Sequence, residues 1–288
     1  MNSIAASGDM ARPASNSRRG SALRSRILSA MVLAPLALGS IYAGFPYFDI
    51  LVALASVIMA AEWRRLCGGK IVDLVGGVMI TGILAGIGAI SLMSGTVPVQ
   101  IILIVALGTG VLSAILGEGL PVSVACSLGV LFVGAFGISL SWIRLLDPAG
   151  LEIVVWLVAA IWLTDICAYF AGRAIGGPKL APRISPKKTW AGLLGGVAAA
   201  AIWTILWGRW MDVESMTTLA MVGAGTAVLA QLGDLGVSVL KRKFGAKDTG
   251  NLIPGHGGVM DRMDGFMGST PPVALAIVIN GSGGSSWL

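Results

Sequence analysis

Long apolar runs broken by short polar stretches dominate this chain. A helix that crosses a bilayer needs roughly 20 apolar residues. Runs over 27–45, 47–61, 71–93, 97–116, 121–141, 150–171, 189–208, 215–237 and 267–280 therefore predict about nine transmembrane helices. The second and the last are short. No soluble domain, coiled coil or internal repeat stands out. The expected fold class is an all-α polytopic membrane protein.

The polar stretches between the runs give an independent check. With the N-terminus cytoplasmic, nine spans leave 1–26, 62–70, 117–120, 172–188 and 238–266 on the inside. These segments hold 18 of the 20 Lys and Arg residues, and only Arg144 and Arg209 remain outside. Cytoplasmic loops of membrane proteins carry such an excess of basic residues. The chain thus divides into a basic cytoplasmic tail (1–26), N-terminal transmembrane helices (27–145), and a C-terminal transmembrane domain (146–280). The last of these carries the cytoplasmic loops 172–188 and 238–266. Residues 281–288 form a flexible tail.

Composition narrows the reading further. The 288 residues are 56% hydrophobic and only 12% charged, with a mean hydropathy of +0.86. A soluble domain carries about a quarter charged residues. The net charge of +6 therefore points to topology and anionic partners, not to nucleic acid. Cys67, Cys126 and Cys167 are scattered, and with one histidine they predict neither a zinc site nor a disulfide framework. The glycine clusters fit close helix packing.

Charge inside or beside the apolar runs marks the candidate chemistry. Asp165 and Asp234 lie within predicted spans, one or two helical turns from the inner end. A carboxylate in hydrocarbon costs at least a few kcal/mol, so it faces a cavity or a partner. Two at similar depth beneath basic loops favour a shared metal-binding pocket. The first of those loops carries Arg173, Lys179, Arg183, Lys187 and Lys188 with no acid. Within it, Ser185-Pro186 reads as a helix start, and a helix N-terminus beside two lysines suits an anion. The second, Ser238–Asp264, gathers Lys241, Arg242, Lys243, Lys247, Arg262, Asp248, Asp261, Asp264 and the only histidine, His256. Aspartates supply hard oxygen ligands, lysines and arginines neutralise phosphates, and glycines such as Gly257 and Gly258 let backbone N–H groups approach an anion. Asp234 and Asp261 are the stronger metal candidates, and Asp248 and Asp264 the weaker. His256 suits a general base, a turn residue or a phosphate donor equally. Glu62 is expected to pair with Arg64 or Arg65.

The residues of this second loop form a longer pattern. Ser238, then Lys241-Arg242, Lys247-Asp248 and Pro254-Gly255-His256-Gly257-Gly258-Val259-Met260-Asp261-Arg262-Met263-Asp264 resemble the signature of the phosphatidate cytidylyltransferases, the CDP-diacylglycerol synthases. Upstream, Gln231–Leu235, Thr164-Asp165 with Ala168–Phe170 and Gly172-Arg173, and Ser185–Thr189 resemble the same family. Before residue 130 the likeness reduces to Glu62-Trp63 and general hydropathy. Ala191 and Gly265 depart from frequent family choices.

The resemblance implies Mg²⁺-dependent transfer of a cytidylyl group from CTP to phosphatidic acid, giving CDP-diacylglycerol and pyrophosphate for phospholipid biosynthesis. It implies a homodimer in the inner (cytoplasmic) membrane of a bacterium, with the polar catalytic pocket at the cytoplasmic face. A second cation such as K⁺ is part of that expectation. On this reading Asp234 and Asp261 hold metal, and Asp165 orients the network or binds the second ion. Lys241, Arg242, Lys247, Asp248 and Arg262 join the catalytic set. Lys187, Lys188, Ser185, Arg173, Ser238, His256, Gly257 and Gly258 bind substrate. An anion transporter, a CTP-dependent lipid kinase and a lipid-binding scaffold are the rival readings. The one-sided charge and the absence of a visible repeat weigh against the transporter.

Overall fold

The computed structural model describes residues 29, 31–70, 73–92, 99–211, 213, 215–253 and 257–280. The tail 1–26, the segment 281–288 and His256 lie outside the described residues. Each predicted run has its helix. Among the described residues these are α1 (Met31–Ala43), α2 (Tyr47–Leu66), α3 (Leu74–Leu92), α4 (Val99–Ile115), α5 (Leu120–Leu145), α6 (Gly150–Ala174), α7 (Trp190–Trp210), α8 (Met216–Lys243) and α9 (Met260–Ile279). Five of them, α3, α5, α6, α7 and α8, are long and apolar enough to cross a membrane.

Several boundaries differ from the sequence reading: α8 runs on to Lys243 and α9 starts at Met260, so both ends of the predicted 238–266 loop are helical, and two further differences have a local reason. The loop after α6 is not irregular: β1 (Lys179–Ala181) and β2 (Ser185–Thr189) pair antiparallel as a small hairpin. Ser185-Pro186 therefore opens a strand and not a helix. Helix α7 begins at Trp190, where extended Thr189 accepts a hydrogen bond from the Gly192 amide (3.1 Å) as its N-cap. Helix α2 runs past the predicted 61 to Leu66, which keeps Glu62 and Arg64 on a regular helix and buries both.

Small residues let the C-terminal helices approach one another. A Cβ on Gly233 of α8 would lie 2.8 Å from the Gly268 Cα of α9, and one on Gly192 of α7 would meet the Ala168 carbonyl of α6 at 2.8 Å. In lipid, where apolar burial drives association weakly, such close packing supplies much of the attraction. The N-terminal helices pack instead through larger side chains. Met59 and Trp63 of α2, Met79 and Ile83 of α3, and Val130, Val133 and Phe136 of α5 form a continuous buried cluster.

Polar contacts gather the loops into two groups. Arg64 donates to Asp73 (2.8 Å) and to Glu118, and also to the Cys126 sulfur (3.5 Å), joining the ends of α2 and α3 to the α4–α5 connection. Arg242 Nε reaches the Ile184 carbonyl (3.4 Å), and Thr249 reaches Glu62 (2.9 Å). The connections around 62–73, 118, 184 and 242–261 thus meet at one end of the bundle. Arg144 Nε donates to the Ile41 carbonyl (2.7 Å), tying the other pair of helix ends, 41–44 and 144, together.

Candidate active site

Besides the Arg64 group, two acid–base clusters of the described residues stand at the loop-rich end. The first is built where α6, the hairpin, α7 and α8 converge. Lys188, on β2, donates to Asp234 Oδ2 (2.7 Å) and to Gln231 Oε1 (2.8 Å), both on α8. These acceptors lie three residues apart and therefore on one helix face. Gln231 donates in turn to Asp165 Oδ1 (3.3 Å) on α6, and Ser238 Oγ to Asp234 Oδ1 (3.3 Å) one turn further along α8. The chain Asp165–Gln231–Lys188–Asp234–Ser238 thereby ties three elements. Asp264, on α9, is close enough for its charge to act on Asp234 and Asp165.

Beside this chain opens a cavity of about 400 Å³. Arg173, Lys179, Lys187 and Lys188 line it together with Asp165, Gln231 and Thr189. Arg173, Lys179 and Lys187 are exposed, so their cationic ends are available to a mobile anion.

The second cluster is closed. Lys241, in the last turn of α8, donates to Asp261 Oδ1 (2.7 Å) in the first turn of α9. Asp261 Oδ2 accepts from the Thr249 amide (2.9 Å), the Thr249 hydroxyl (3.1 Å) and the Gly258 amide (3.1 Å). Glu62, reaching over from α2, accepts from the Thr249 hydroxyl (2.9 Å), the Val259 amide (2.9 Å) and the Met260 amide (2.8 Å). Helix α9 has no cap of its own. Of the free N–H groups that a helix start presents, Glu62 takes those of Val259 and Met260, and Asp261 takes the Gly258 amide just before the helix. Gly257, at φ +87°, closes an isolated bridge with Ile253 and has the left-handed backbone that favours glycine.

The sequence reading meets mixed geometry. Asp165, Arg173, Lys187 and Lys188 line the cavity, and Asp234 with Ser238 joins them through Lys188. Lys241, Asp261 and Gly258 form the closed cluster. Arg242 in the last turn of α8, Lys247 and Asp248 on the connection to α9, and Arg262 in the first turn of α9 are exposed. Ser185 faces its strand partner Ala181 in the hairpin. Glu62 does not pair with Arg64 or Arg65. Arg64 is held by Asp73 and Glu118, and Glu62 serves the signature loop. The glycine-rich turn does present amides to anions, yet in this structure those anions are the protein's own Glu62 and Asp261. A Cβ at Gly250 or Gly258 would lie 2.8 or 2.6 Å from the Glu62 carboxylate, which is what requires glycine there. Only the Glu62-Trp63 likeness hinted at this contact in the sequence.

For a cation, the donors are of the right type. Asp165, Asp234 and Asp261 offer hard oxygens, and Asp234 and Asp261 are each neutralised here by one lysine ammonium. Among the described residues no three His, Cys, Asp or Glu side chains gather as a ready ligand cluster. Mg²⁺ commonly takes only one or two carboxylates and completes its shell with water and substrate phosphates, so the residues fit that ion.

The chain is similar to known proteins over most of its length. The profile of the Cytidylyltransferase family matches residues 24–280. The phosphatidate cytidylyltransferase of Brucella suis is 38% identical over 255 residues, covering 85% of this chain and 89% of the relative. That of Pseudomonas aeruginosa is 32% identical over 276 residues, covering 91% and 99%. That of Rickettsia bellii is 29% identical over 263 residues, covering 89% and 90%. The match spans both clusters and the N-terminal helices that supply Glu62: this chain belongs to the cytidylyltransferase family and is a nucleotidyltransferase.

Proposed function

We propose that this protein transfers a cytidylyl group from CTP to phosphatidic acid, forming CDP-diacylglycerol and pyrophosphate. The observation that supports it best is the cationic cavity over Asp165 and the Lys188–Asp234 pair. A lipid phosphate stays at the interface while CTP arrives from water, and a cavity at the helix ends serves both. On this reading the cavity faces the cytoplasm of a bacterial inner membrane, the enzyme works as a homodimer, and its product supplies phospholipid synthesis.

The reaction brings two anions together. A phosphate oxygen of phosphatidic acid attacks the α-phosphorus of CTP in line. The bond to the α–β bridging oxygen breaks, and pyrophosphate leaves with its electron pair. The attacking phosphate is already ionised, so no residue need act as its base. Charge neutralisation and alignment dominate such a barrier. Arg173, Lys187 and Lys188 draw the triphosphate into the cavity. Lys188 exchanges its aspartate partner for phosphate oxygens as it enters, while Lys241 stays on Asp261. Asp234 and Asp261, with Asp165 beside them, would hold Mg²⁺ and a second cation such as K⁺. Bound there, the metal lends positive charge to the phosphates. Arg242, Lys247 and Arg262 meet the leaving pyrophosphate from the exposed side, and Ser238 keeps Asp234 oriented.

The products test this reading. With CTP, Mg²⁺ and phosphatidic acid, the solubilised protein releases pyrophosphate in step with lipid consumption. Release of CDP with a lipid alcohol as acceptor would instead identify a lipid kinase.

A further inference from the structure

The N-terminal helices line none of the cavity, yet one of their acids is built into the signature loop. Glu62 is 3% exposed and Thr249 5%. The Glu62 carboxylate accepts three hydrogen bonds, one on Oε1 from Val259 and two on Oε2 from Thr249 and Met260. Thr249 connects it to the reacting side, because the same hydroxyl also lies 3.1 Å from Asp261 Oδ2. A hydroxyl carries one proton, so Glu62 and Asp261 share a single donor and their positions are linked. Two residues along α2, Arg64 is locked by Asp73 and Glu118, which fixes the end of the helix from behind.

We infer that Glu62 is a positioning residue for cytidylyl transfer. It sets the height and orientation of the 249–261 loop, and through Thr249 it sets the Asp261 carboxylate that holds Lys241. The glycines at 250 and 258 are the complement of this contact, since any side chain there would displace the carboxylate. This inference rests on the transferase reading. It explains why the fold retains helices that contribute nothing to the cavity wall.

Glu62→Gln is the sharp probe. It keeps the size but replaces one acceptor oxygen with an amide that faces other donors. A misplacement of this kind lowers kcat by about 100-fold per folded molecule. The KM for CTP stays near that of the unaltered protein, because the cavity lysines are untouched. Glu62→Asp restores part of kcat. Thr249→Val, which removes one hydrogen bond, lowers kcat about tenfold, and combined with Glu62→Gln its effect is less than additive. Amide exchange at Val259 and Met260 quickens in Glu62→Gln. A merely structural role would lower the amount of folded protein and leave kcat per folded molecule unchanged, and that result overturns the inference. Additive losses also overturn it. Should Glu62→Gln fail to fold, Thr249→Val decides alone, unchanged kcat being contrary. Absence of transfer by the unaltered protein would sink the transferase reading, whereas the exchange measurement would still report on the strut.

Discussion

Two lysine–aspartate pairs at the same distance, 2.7 Å, sit within one end of this molecule and live in different surroundings. In Lys188–Asp234 the side chains are 18% and 31% exposed, and the lysine lines a cavity. In Lys241–Asp261 they are 11% and 7% exposed, and the aspartate also holds two backbone amides and a hydroxyl. A half-solvated pair can be broken and remade during turnover at modest cost. A buried one whose partner is removed leaves an uncompensated charge. The same ion pair therefore serves as exchangeable chemistry in one place and as framework in the other.

Substitutions that treat the pairs alike should separate them. Asp234→Asn is expected to have the largest effect on rate, a fall in turnover of about 1000-fold, with thermal stability close to the unaltered protein. Asp261→Asn is expected to lower turnover about 100-fold through the loop and also to destabilise the fold by about 3 kcal/mol. Thermal unfolding in detergent distinguishes the two. Equal stability in both variants would erase the contrast. Lys188→Ala is expected to raise the CTP KM about tenfold by removing a charged donor, as steady-state kinetics would read. A normal KM would move the triphosphate elsewhere.

The smallest effect concerns a third cluster, away from the cavity. Burial opposes ionisation of Asp73, but the bonds from Arg64 and from the Gly76 and Lys70 amides outweigh it and hold the carboxyl below its usual range. Glu118 is held low by Arg64 first, against burial, with help from Ser113. Groups depressed in the folded state contribute stability that is complete above their unfolded pKa, about 4. That stability disappears as pH falls through the lower folded values. Melting should therefore be insensitive to this cluster from pH 8 to about 5 and decline below about 4. Arg64→Met should flatten that decline, and an unchanged profile would contradict the assignment.

Much of this architecture was legible in the sequence because lipid imposes a coarse and periodic demand. Nine apolar runs became nine helices among the described residues, and the acids within them, Asp165 and Asp234, came together as their depth implied. Local competition was less legible. Ser185-Pro186 looks like a helix start, but β1 offers its backbone a partner and Thr189 is the better cap. Glu62 has Arg64 and Arg65 within three residues in sequence, yet Arg64 is held by Asp73 and Glu118, and α9 presents unsatisfied amides from nearly 200 residues away. The glycines of the signature were readable as anion approach. Which anion they approach depends on a long-range contact that no local pattern encodes.

The central claim is cytidylyl transfer to a lipid phosphate at the open cluster. The direct measurement is movement of label from α-labelled CTP into the lipid phase by the solubilised protein with phosphatidic acid, with Mg²⁺ and with chelator. The account predicts lipid label that depends on both phosphatidic acid and Mg²⁺ and is lost in Asp234→Asn. Folded protein that leaves the lipid unlabelled, or Asp234→Asn that labels it at the unaltered rate, would contradict it.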